Sequence, residues 1–386
     1  MKKINLLIIT DTYIGIPGGS ERHLLNFLKL LNHDEFNVVA LQLFPYELDA
    51  TNIDILKELT QVKFIHQPLK SIKRFRFIQC FFLIIKLITL HQIDIVVSYH
   101  EKSDLLNYLL KFAPGLHTIR ISSKRDLGFK LDGILKKAML FVTPKFAAIT
   151  TPSLSIGKML TSEYKVPEKN VHVIANGVDL DVYRTGSLSE KKKFKVKFNI
   201  DENSFIGISV GSLREVKGHN FLIKSFADFH KSATHQWHLI VLGMGPLKDS
   251  LYELTKTLHL TNVHFVGLQK NVNYWLRNSD LIVSSSSSEG LSNALLEGIA
   301  SGLPVIGTNV GGTPELVHPE KNGILVEYGN RLQLSNAFIF FDRTPQKLVD
   351  YGNNSRWIAE KEYSNQVMVS RMENLYRDIL LSSRAS

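Results

Sequence analysis

The sequence predicts an α/β protein made of two doubly wound domains, each with a mainly parallel sheet. With 386 residues, the chain is well beyond the roughly 100–200 residues of a usual domain, which favours two domains. Hydrophobic residues make up 44% and charged residues 21%, as in ordinary globular proteins, so a disordered or collagen-like chain is excluded. Short apolar runs also alternate with helix-like segments, which is the pattern of βαβ units.

The N-terminal domain begins with a predicted strand. The apolar run at residues 4–9 ends in Thr10 and Asp11; it is too short for a signal peptide and is typical of a buried parallel strand followed by a loop. Helix-like segments separate it from further strand-like runs at residues 93–100, 117–123, 147–153 and 171–176. We therefore assign residues 1–185 to this domain.

The same alternation restarts after a polar, lysine-rich stretch at residues 185–197. Strand-like runs follow at residues 205–212, 237–243, 263–267, 280–286 and 303–308. We assign residues 186–361 to a second domain, and the spacing of apolar residues predicts a helix over about residues 362–386. Ligands of doubly wound sheets bind at the carboxyl ends of strands, so a cleft between the two domains is the expected site.

The charge of the chain indicates an anionic partner. The net charge is +10, from 46 Lys and Arg against 36 Asp and Glu. Residues 1–186 carry 24 basic and 17 acidic side chains, so +7 of the excess lies in the N-terminal half. Nucleic acid, an anionic membrane surface and phosphorylated substrates each remain open as partners at this point.

Two features bear on the location of the protein. Cys80 is the only cysteine, which excludes an intramolecular disulfide and a cysteine-based zinc cluster and favours a reducing, cytoplasmic environment. Residues 74–91 form a long apolar run, but Lys86 interrupts it below the roughly 18–20 residues that a membrane-spanning helix needs. We therefore expect no transmembrane helix.

The densest chemistry lies in residues 284–312. A strand is expected to end near Ser284, and a helix to begin after Ser292 as its N-cap. Backbone N–H groups at such a helix start suit a diphosphate, here those of Gly290, Leu291, Ser292 and Asn293. Carboxylates would repel a diphosphate, so we expect Glu289 and Glu297 to accept hydrogen bonds from sugar hydroxyls. The alternative is a helix-start acid at Glu289 and a surface residue at Glu297.

Seven residues separate Glu289 from Glu297, and the sequence then continues with GIASGLPVIGTNVGGTPELV. This pattern resembles the E-x7-E signature of retaining GT-B glycosyltransferases of the group 1, or family 4, type. Further similar segments keep the family order over nearly the full chain: PGGSERHLLN, SYHEKSDL, ANGVDLDVY, VGSLREVKGHNFLIKSF, VLGMGPLKDSL and VHFVGLQKNVNYWLRNSDLIVSSS. The resemblance implies a GT-B fold of two Rossmann-like domains facing a cleft, with a C-terminal helix crossing back to the N domain. It also implies an acceptor site in the N domain and a nucleotide-sugar donor site in the C domain.

The resemblance assigns roles to residues of the C domain. By motif position, Glu289 contacts the transferred hexose and Glu297 the nucleotide ribose. The family turn that neutralises the diphosphate reads GSLREVKG here; Lys217 is in place, whereas Ser212 occupies the usual arginine position. We expect Arg214 to reach the phosphates instead, with a solvated loop arginine as the alternative. The complete set of predicted donor-binding residues is Gly18, Gly19, Gly211, Ser212, Leu268, Gly290, Leu291, Ser292, Asn293 and Glu297.

In the N domain, the resemblance places His100 near the reacting centre, so the predicted catalytic residues are His100, Lys217, Arg214 and Glu289. Cations after another N-domain strand are the candidates for holding an acceptor phosphate: Arg120, Lys124 and Arg125. A solvated basic loop is the alternative for these three. Asp179 and Asp181 form a D-x-D pattern within the family's interdomain segment, so we expect no metal site and no cofactor other than the nucleotide-sugar substrate.

The sequence therefore predicts a retaining glycosyltransferase that moves a hexose or N-acetylhexosamine from a nucleotide diphosphate sugar. Uridine is the base expected from family frequency, and the acceptor is a hydroxyl of a glycan or lipid-linked molecule in cell-surface polysaccharide or lipopolysaccharide synthesis. The alternatives are a non-catalytic nucleotide-sugar-binding protein and a GT-B UDP-sugar epimerase. A nucleic-acid partner is not expected, because no basic stripe interleaved with aromatic residues occurs.

A membrane partner is expected from the basic residues before the apolar run. Lys70, Lys73, Arg74 and Arg76 lead into the run from Phe75 to Leu90. This pattern predicts peripheral docking on an anionic membrane, on the cytoplasmic face of the inner membrane, which carries a lipid-linked acceptor. The alternative is a buried helix with a basic approach.

Overall fold

The chain forms two compact units in the computed structural model, which describes residues 2–12, 14–15, 19–46, 50–70, 75–125 and 133–385. Unit 1 comprises Met1–Gly177 and Asn365–Ser386, and unit 2 comprises Val178–Ser364. Each unit has its own parallel sheet, as the predicted α/β class requires.

Unit 1 contains a seven-stranded sheet with the strand order β3-β2-β1-β4-β5-β6-β7. Its strands are β1 Ile4–Thr10, β2 Phe36–Gln42, β3 Val62–His66, β4 Ile95–Tyr99, β5 Ile119–Ser123, β6 Ala148–Thr151 and β7 Val171–Val173. The helices between them are α1 Gly19–Leu30, α2 Ala50–Glu58, α3 Phe75–His91, α4 Glu101–Leu109, α5 Gly133–Val142 and α6 Leu154–Ser162. Each neighbouring pair of strands in this sheet is parallel.

Strand β1 shows why the sheet is covered on both sides. Leu6 and Ile8 lie in one apolar cluster with residues of α1, whereas Leu7 and Ile9 lie in another with residues of α3. All four side chains are fully buried. Successive strand residues point to opposite faces, so a continuous apolar run is stable only with a helix layer on each face.

Unit 2 contains a six-stranded sheet with the order β10-β9-β8-β11-β12-β13. Its strands are β8 Phe205–Val210, β9 Trp237–Leu242, β10 Val263–Gly267, β11 Leu281–Ser284, β12 Val305–Thr308 and β13 Gly323–Val326. Its helices are α7 Leu188–Lys197, α8 His219–His230, α9 Lys248–Thr257, α10 Val272–Leu276, α11 Asn293–Ala300, α12 Thr313–Leu316, α13 Arg331–Arg343 and α14 Gln346–Glu362.

The last helix, α15 Asn365–Ala385, belongs to unit 1. Tyr376 is fully buried there, with ring centroids 6.1 Å from Phe27 and 6.4 Å from Phe36. Arg377 donates to both carboxylate oxygens of Glu35 at 2.6 and 2.7 Å, and these hydrogen bonds lower the pKa of Glu35. A helix therefore forms where the C-terminal spacing predicts one.

The division between the units falls at Gly177/Val178, before the predicted boundary at 185/186. Arg356 on α14 explains the difference, because its Nη1 donates to the carbonyls of Leu180 and Tyr183 at 3.3 and 2.7 Å. Val178 N also donates to Tyr363 O at 2.8 Å. These hydrogen bonds attach the segment after residue 177 to unit 2.

Each predicted strand-like run contains a strand, but β2, β3 and β13 were not predicted. They extend the sheets at their outer parts: β2 lies beside β1, β3 lies beside β2, and β13 lies beside β12. Within the described ranges, no helix combines the length and hydropathy needed to cross a bilayer.

Candidate active site

The candidate site of unit 2 lies where the strand order reverses. Strands β8 and β11 are neighbours in the sheet, and the chain winds away from them in opposite directions. Ligands of doubly wound sheets bind at the carboxyl ends of the strands at such a point. The loops that follow these two strands are residues 211–218 and 285–292, and both contain predicted donor-binding residues.

Hydrogen bonds hold these two loops together. Ser285 Oγ donates to Lys217 O at 2.9 Å, and Ser287 N donates to Val216 O at 2.8 Å. Gly218 has φ 65°, and a Cβ atom there would lie 2.0 Å from Ser285 O. A side chain at Gly218 would therefore force the loops apart, which explains why glycine follows Lys217.

An ion pair joins the two loops. Lys217 Nζ lies 2.7 Å from Glu289 Oε2, and Ser286 Oγ donates to the same oxygen at 3.1 Å. The side chains are only 26% and 13% exposed, so water screens the two charges weakly. The structure thus brings two predicted catalytic residues together that are far apart in the sequence.

A third loop fixes the backbone of Glu289. Gly312 N donates to Glu289 O at 3.3 Å, and a Cβ atom at Gly311, where φ is 54°, would lie 1.6 Å from that oxygen. This loop follows β12, the next strand of the sheet. The position of Glu289 therefore depends on glycine in the segment whose crowding with glycine was evident from the sequence.

Helix α11 begins as predicted after Ser292, whose hydroxyl accepts from Leu295 N at 3.3 Å. Glu297 lies on this helix and is 7% exposed, so it is not the surface residue of the alternative interpretation. Leu291, before the helix, is also buried, whereas Gly290 and Asn293 are half-buried. The start of α11 thus lies directly after the Glu289 loop.

Other predicted donor-binding residues are more exposed. Leu268, just after β10, is 76% exposed, and Ser212 is exposed in the loop after β8. Gly211 lies against the aliphatic part of Lys217. The side chain of Arg214 is exposed and has no hydrogen bond or ion pair to the described residues, so the structure does not bring it to the Lys217–Glu289 pair.

One buried residue of this site was missed in the sequence. His219 follows Gly218 at the start of α8 and lines a small cavity together with Lys217, Ser285 and Ser286. Burial, with the nearby charge of Lys217 adding to it, lowers the pKa of His219 to about 4. His219 is therefore neutral at pH 7 and does not compete with Lys217 for an anion; its place after Lys-Gly was the available signal.

In unit 1, the strand order reverses between β1 and β4, and His100 directly follows β4. His100 has φ 72° and is the N-cap residue of α4, and its Nε2 lies 3.3 Å from Ser20 Oγ on α1. This position at the carboxyl end of a strand agrees with the location expected for a ligand-binding residue. Its catalytic role stays a prediction.

Asp11, which follows β1, was not predicted as a site residue. Its carboxylate accepts from the backbone N–H groups of Lys102 and Ser103 at 2.7 and 2.8 Å, which caps α4 beside His100. Burial raises the pKa of Asp11 to about 6, although the charge of His100 and the two backbone hydrogen bonds act in the opposite direction. Asp11 therefore positions the segment that carries His100.

The three cations predicted to hold the acceptor differ in their surroundings. Lys124 Nζ forms an ion pair of 2.5 Å with the fully buried Asp104. Arg120 is half-buried on β5 and donates to Tyr108 O at 3.5 Å. Arg125 contacts His23 and Asn176 but has no acidic partner among the described residues. The three cations therefore do not form one solvated basic loop, because each has different partners in the fold.

The remaining predictions concern glycines and metals. Gly18 lies outside the described residues, and Gly19 is the exposed first residue of α1. Asp179 accepts from Asp181 N and Val182 N, each at 3.0 Å, and so closes a turn. Within the described ranges, no group of three or more His, Cys, Asp or Glu side chains is placed to hold a metal ion.

Comparison with known proteins defines the class. The model described as glycosyl transferases group 1 matches residues 190–357, and that of glycosyltransferase family 4 matches residues 17–182. An uncharacterized glycosyltransferase of Methanocaldococcus jannaschii is 30% identical over 292 residues, which are 72% of this chain and 69% of the relative. The chain is a glycosyltransferase and belongs to the group 1 family.

Two further proteins are similar to this chain. N-acetyl-α-D-glucosaminyl L-malate synthase of Bacillus anthracis is 30% identical over 221 residues, which are 57% of each protein. The crystal structure of Anabaena Alr3699/HepE in complex with UDP has a TM-score of 0.81 at 19% identity and covers 97% of this chain and 100% of that chain. The same Anabaena protein has been solved with UDP-glucose. These similarities confirm the predicted GT-B class of fold.

Proposed function

We propose that the protein transfers a hexose or N-acetylhexosamine from a UDP-sugar to an acceptor hydroxyl, with retention of the anomeric configuration. The Lys217–Glu289 pair at the strand-order reversal of unit 2 carries this proposal. The Anabaena complexes with UDP and UDP-glucose support uridine as the base. The name of the Bacillus anthracis relative supports N-acetylglucosamine as one candidate sugar.

In this proposal, Lys217 and the backbone N–H groups at the start of α11 bind the diphosphate. Positive groups at that position stabilise the charge that develops as UDP departs, which is commonly a large contribution to catalysis. Glu289, now held by Lys217 and Ser286, accepts hydrogen bonds from the hydroxyls of the transferred sugar. Glu297 binds the ribose, and the diphosphate gives Lys217 a second anionic partner besides Glu289.

The reaction itself exchanges two bonds at the anomeric carbon. The bond to the diphosphate oxygen breaks and its electron pair leaves with UDP, while the acceptor oxygen forms a bond on the same face. The proton of the acceptor hydroxyl passes to the departing diphosphate. We propose that this step needs no metal ion, because Lys217 and the N-terminus of α11 supply the positive charge. EDTA should then leave turnover unchanged. Inhibition by EDTA that a divalent cation reverses would contradict this proposal.

The decisive experiment measures UDP release from a panel of UDP-sugars with candidate acceptors. We expect Lys217→Ala and Glu289→Gln each to lower kcat by about 10²–10³-fold, as loss of one group that stabilises the transition state does. Lys231→Ala and Glu253→Gln are the matched controls, because both residues form exposed ion pairs elsewhere in unit 2. Wild-type rates in both site variants would refute the assignment.

The same experiment separates the alternative functions. An epimerase acting on UDP-sugars would convert the sugar without any acceptor and without net UDP release. A non-catalytic sensor would bind UDP-sugars, with a rise in melting temperature, but would show neither reaction. Transfer that depends on an added acceptor favours the proposed function over both.

We further propose that the acceptor is a glycan or lipid-linked molecule of cell-surface polysaccharide synthesis, reached at the cytoplasmic face of a membrane. Helix α3 buries one face and exposes apolar side chains on the other, namely Phe75, Ile78, Phe82 and Leu90. Arg76 and Lys86 are exposed on the same helix, and Lys70 precedes it. Lys73 and Arg74, also predicted to contact the membrane, lie outside the described residues.

Flotation with vesicles of anionic and neutral phospholipids tests this docking. We expect the wild type to float with anionic vesicles at low salt and Phe82→Glu to bind much less, because charge on the apolar face opposes insertion. Leu332→Glu is the control, since Leu332 is similarly exposed in unit 2. No flotation of the wild type, or equal flotation of Phe82→Glu, would reject the membrane proposal and leave the transfer reaction unaffected.

A further inference from the structure

A group of polar side chains in unit 1 surrounds Arg125, and we call it the Arg125 cluster: His23, Tyr99, Arg125, Asn176 and Tyr376. Tyr99 ends β4, Arg125 follows β5, and Asn176 follows β7, so these three lie at the carboxyl edge of the sheet. His23 comes from α1 and Tyr376 from α15. The cluster is thus located where the ligands of such sheets bind.

Arg125 makes few of its possible hydrogen bonds in this cluster. Its Nη2 donates to His23 Nδ1 at 3.1 Å and to Asn176 Oδ1. Its Nε and Nη1 are buried and have no hydrogen-bond partner among the described residues. The N–H groups of a buried guanidinium normally have hydrogen-bond acceptors, because burying a charge without partners raises the free energy of the folded state.

The protonation of His23 follows from this contact. A guanidinium can only donate, so Nδ1 of His23 is the acceptor and Nε2 carries the ring proton. Burial, together with the charge of Arg125, lowers the pKa of His23 well below its usual range, so the ring is neutral. His23 Nε2 is also buried and has no hydrogen-bond partner in the part of the chain that the structure describes, and the same holds for the hydroxyl of Tyr376.

The Arg125 cluster contains no carboxylate. Burial lowers the pKa of Arg125 to about 10, and the groups that act against this shift are the hydroxyls of Tyr99 and Tyr376. The neighbouring Lys124 has Asp104 as its partner, whereas Arg125 has no ion pair with the described residues. The cluster therefore offers buried donors and a positive charge without the acceptor that would balance them.

We propose that the Arg125 cluster binds one oxyanion, a carboxylate or phosphate group, and that this group belongs to the acceptor. The donors are one of the two unpartnered Arg125 groups, Nε or Nη1, together with His23 Nε2 and the Tyr376 hydroxyl. A guanidinium suits both oxyanions because it keeps its positive charge and its hydrogen bonds to an anionic oxygen are charge-assisted. The oxyanion site is inferred from the cluster alone, whereas the assignment of the oxyanion to the acceptor rests on the proposed glycosyl transfer.

The test uses the full chain with a saturating concentration of UDP, so that the donor site does not compete for the probes. Sodium phosphate and sodium malonate are titrated at constant ionic strength, and the melting temperature is recorded. We expect at least one probe to raise the melting temperature of the wild type. The affinity of Arg125→Gln for that probe should be at least tenfold lower. Arg371→Gln is the control, because Arg371 is an exposed arginine on α15; this variant should bind the probe with wild-type affinity.

Stability without probes separates binding from a structural role. Arg125→Gln removes an unpaired buried charge, so its melting temperature without anion should equal or exceed that of the wild type. Tyr376→Phe removes only a hydroxyl that has no hydrogen-bond partner among the described residues. This variant should keep the fold and bind the probe several-fold more weakly. A structural role would lower the stability of Arg125→Gln and leave the probe affinity of Tyr376→Phe unchanged, and that result would overturn the proposal.

The two probes identify the source of the oxyanion. A response to phosphate alone supports a phosphorylated acceptor, a response to malonate alone supports an acidic sugar or other carboxylate, and a response to both supports the shared chemistry. A response to neither, or equal responses in wild type and Arg125→Gln, overturns the site. Failure of UDP to bind would instead contradict the proposed function, and the difference in anion response between the wild type and Arg125→Gln would still test the site.

Discussion

The two sheets end in polar sites of opposite character. At the strand-order reversal of unit 2, a cation and a carboxylate neutralise one another, and three loops converge on Glu289. At the carboxyl edge of unit 1, Lys124 is neutralised by Asp104 while its neighbour Arg125 has no acidic partner among the described residues. Of these two adjacent cations, one is thus neutralised by a carboxylate and the other is not. A basic motif in the sequence therefore does not by itself indicate an available anion site.

The largest expected effect concerns Lys124. Lys124→Gln should lower the free energy of unfolding by about 3–5 kcal/mol, because it leaves the buried carboxylate of Asp104 without its counter-charge. Chemical denaturation followed by circular dichroism measures this change. The double variant Lys124→Gln/Asp104→Asn should recover most of the loss. If the single variant is as stable as the exposed control Lys145→Gln, the contrast between Lys124 and Arg125 does not hold.

The next effect tests the convergence of loops in unit 2. Gly311→Ala should cost about 3 kcal/mol, from the positive φ and from the contact of its Cβ with Glu289 O. Gly329→Ala is the matched control, because Gly329 also has positive φ but no atom near its would-be Cβ, and it should cost only about 1 kcal/mol. Urea unfolding measures both values, and equal costs would contradict the described packing at Gly311.

The smallest effect is a pH dependence in unit 1. The pKa of Asp11 is about 6 in the folded chain, above its ordinary value, so the folded state binds this proton more tightly than the unfolded state. Stability should therefore decline by about 2 kcal/mol as the pH rises from 4 to 7. Asp11→Asn should remove this part of the decline, as shown by unfolding curves at several pH values; an identical pH profile in the variant would refute the shift.

The local apolar patterns predicted most strands, but the sequence did not reveal which strands are neighbours. Strands β2, β3 and β13 extend the sheets beyond the predicted strands, and β2, with seven residues, is as long as β1. The E-x7-E spacing identified Glu289 and Glu297, whereas the ion pair between Glu289 and Lys217 requires β8 and β11 to be adjacent. Sequence spacing reports contacts along one helix or loop, not contacts across a sheet.

The same reason explains the residues that were missed or misjudged. Asp11 caps a helix that begins far along the chain, and His219 matters because it is buried beside Lys217. Lys124 and Arg125 are adjacent in the sequence, but only the fold places Asp104 beside one and Tyr376 beside the other. Charge partners of this kind follow from tertiary packing, which a single sequence does not specify.

The discontinuity of unit 1 has a consequence for biosynthesis. Its core includes Met372 and Tyr376 from α15, which leave the ribosome only after all of unit 2 has been made. Unit 2 is continuous in the chain and is able to complete its core first. During translation, the apolar surface of unit 1 around Phe27 and Phe36 therefore stays uncovered until α15 has been made, so unit 1 should complete its core only after unit 2 has been synthesised.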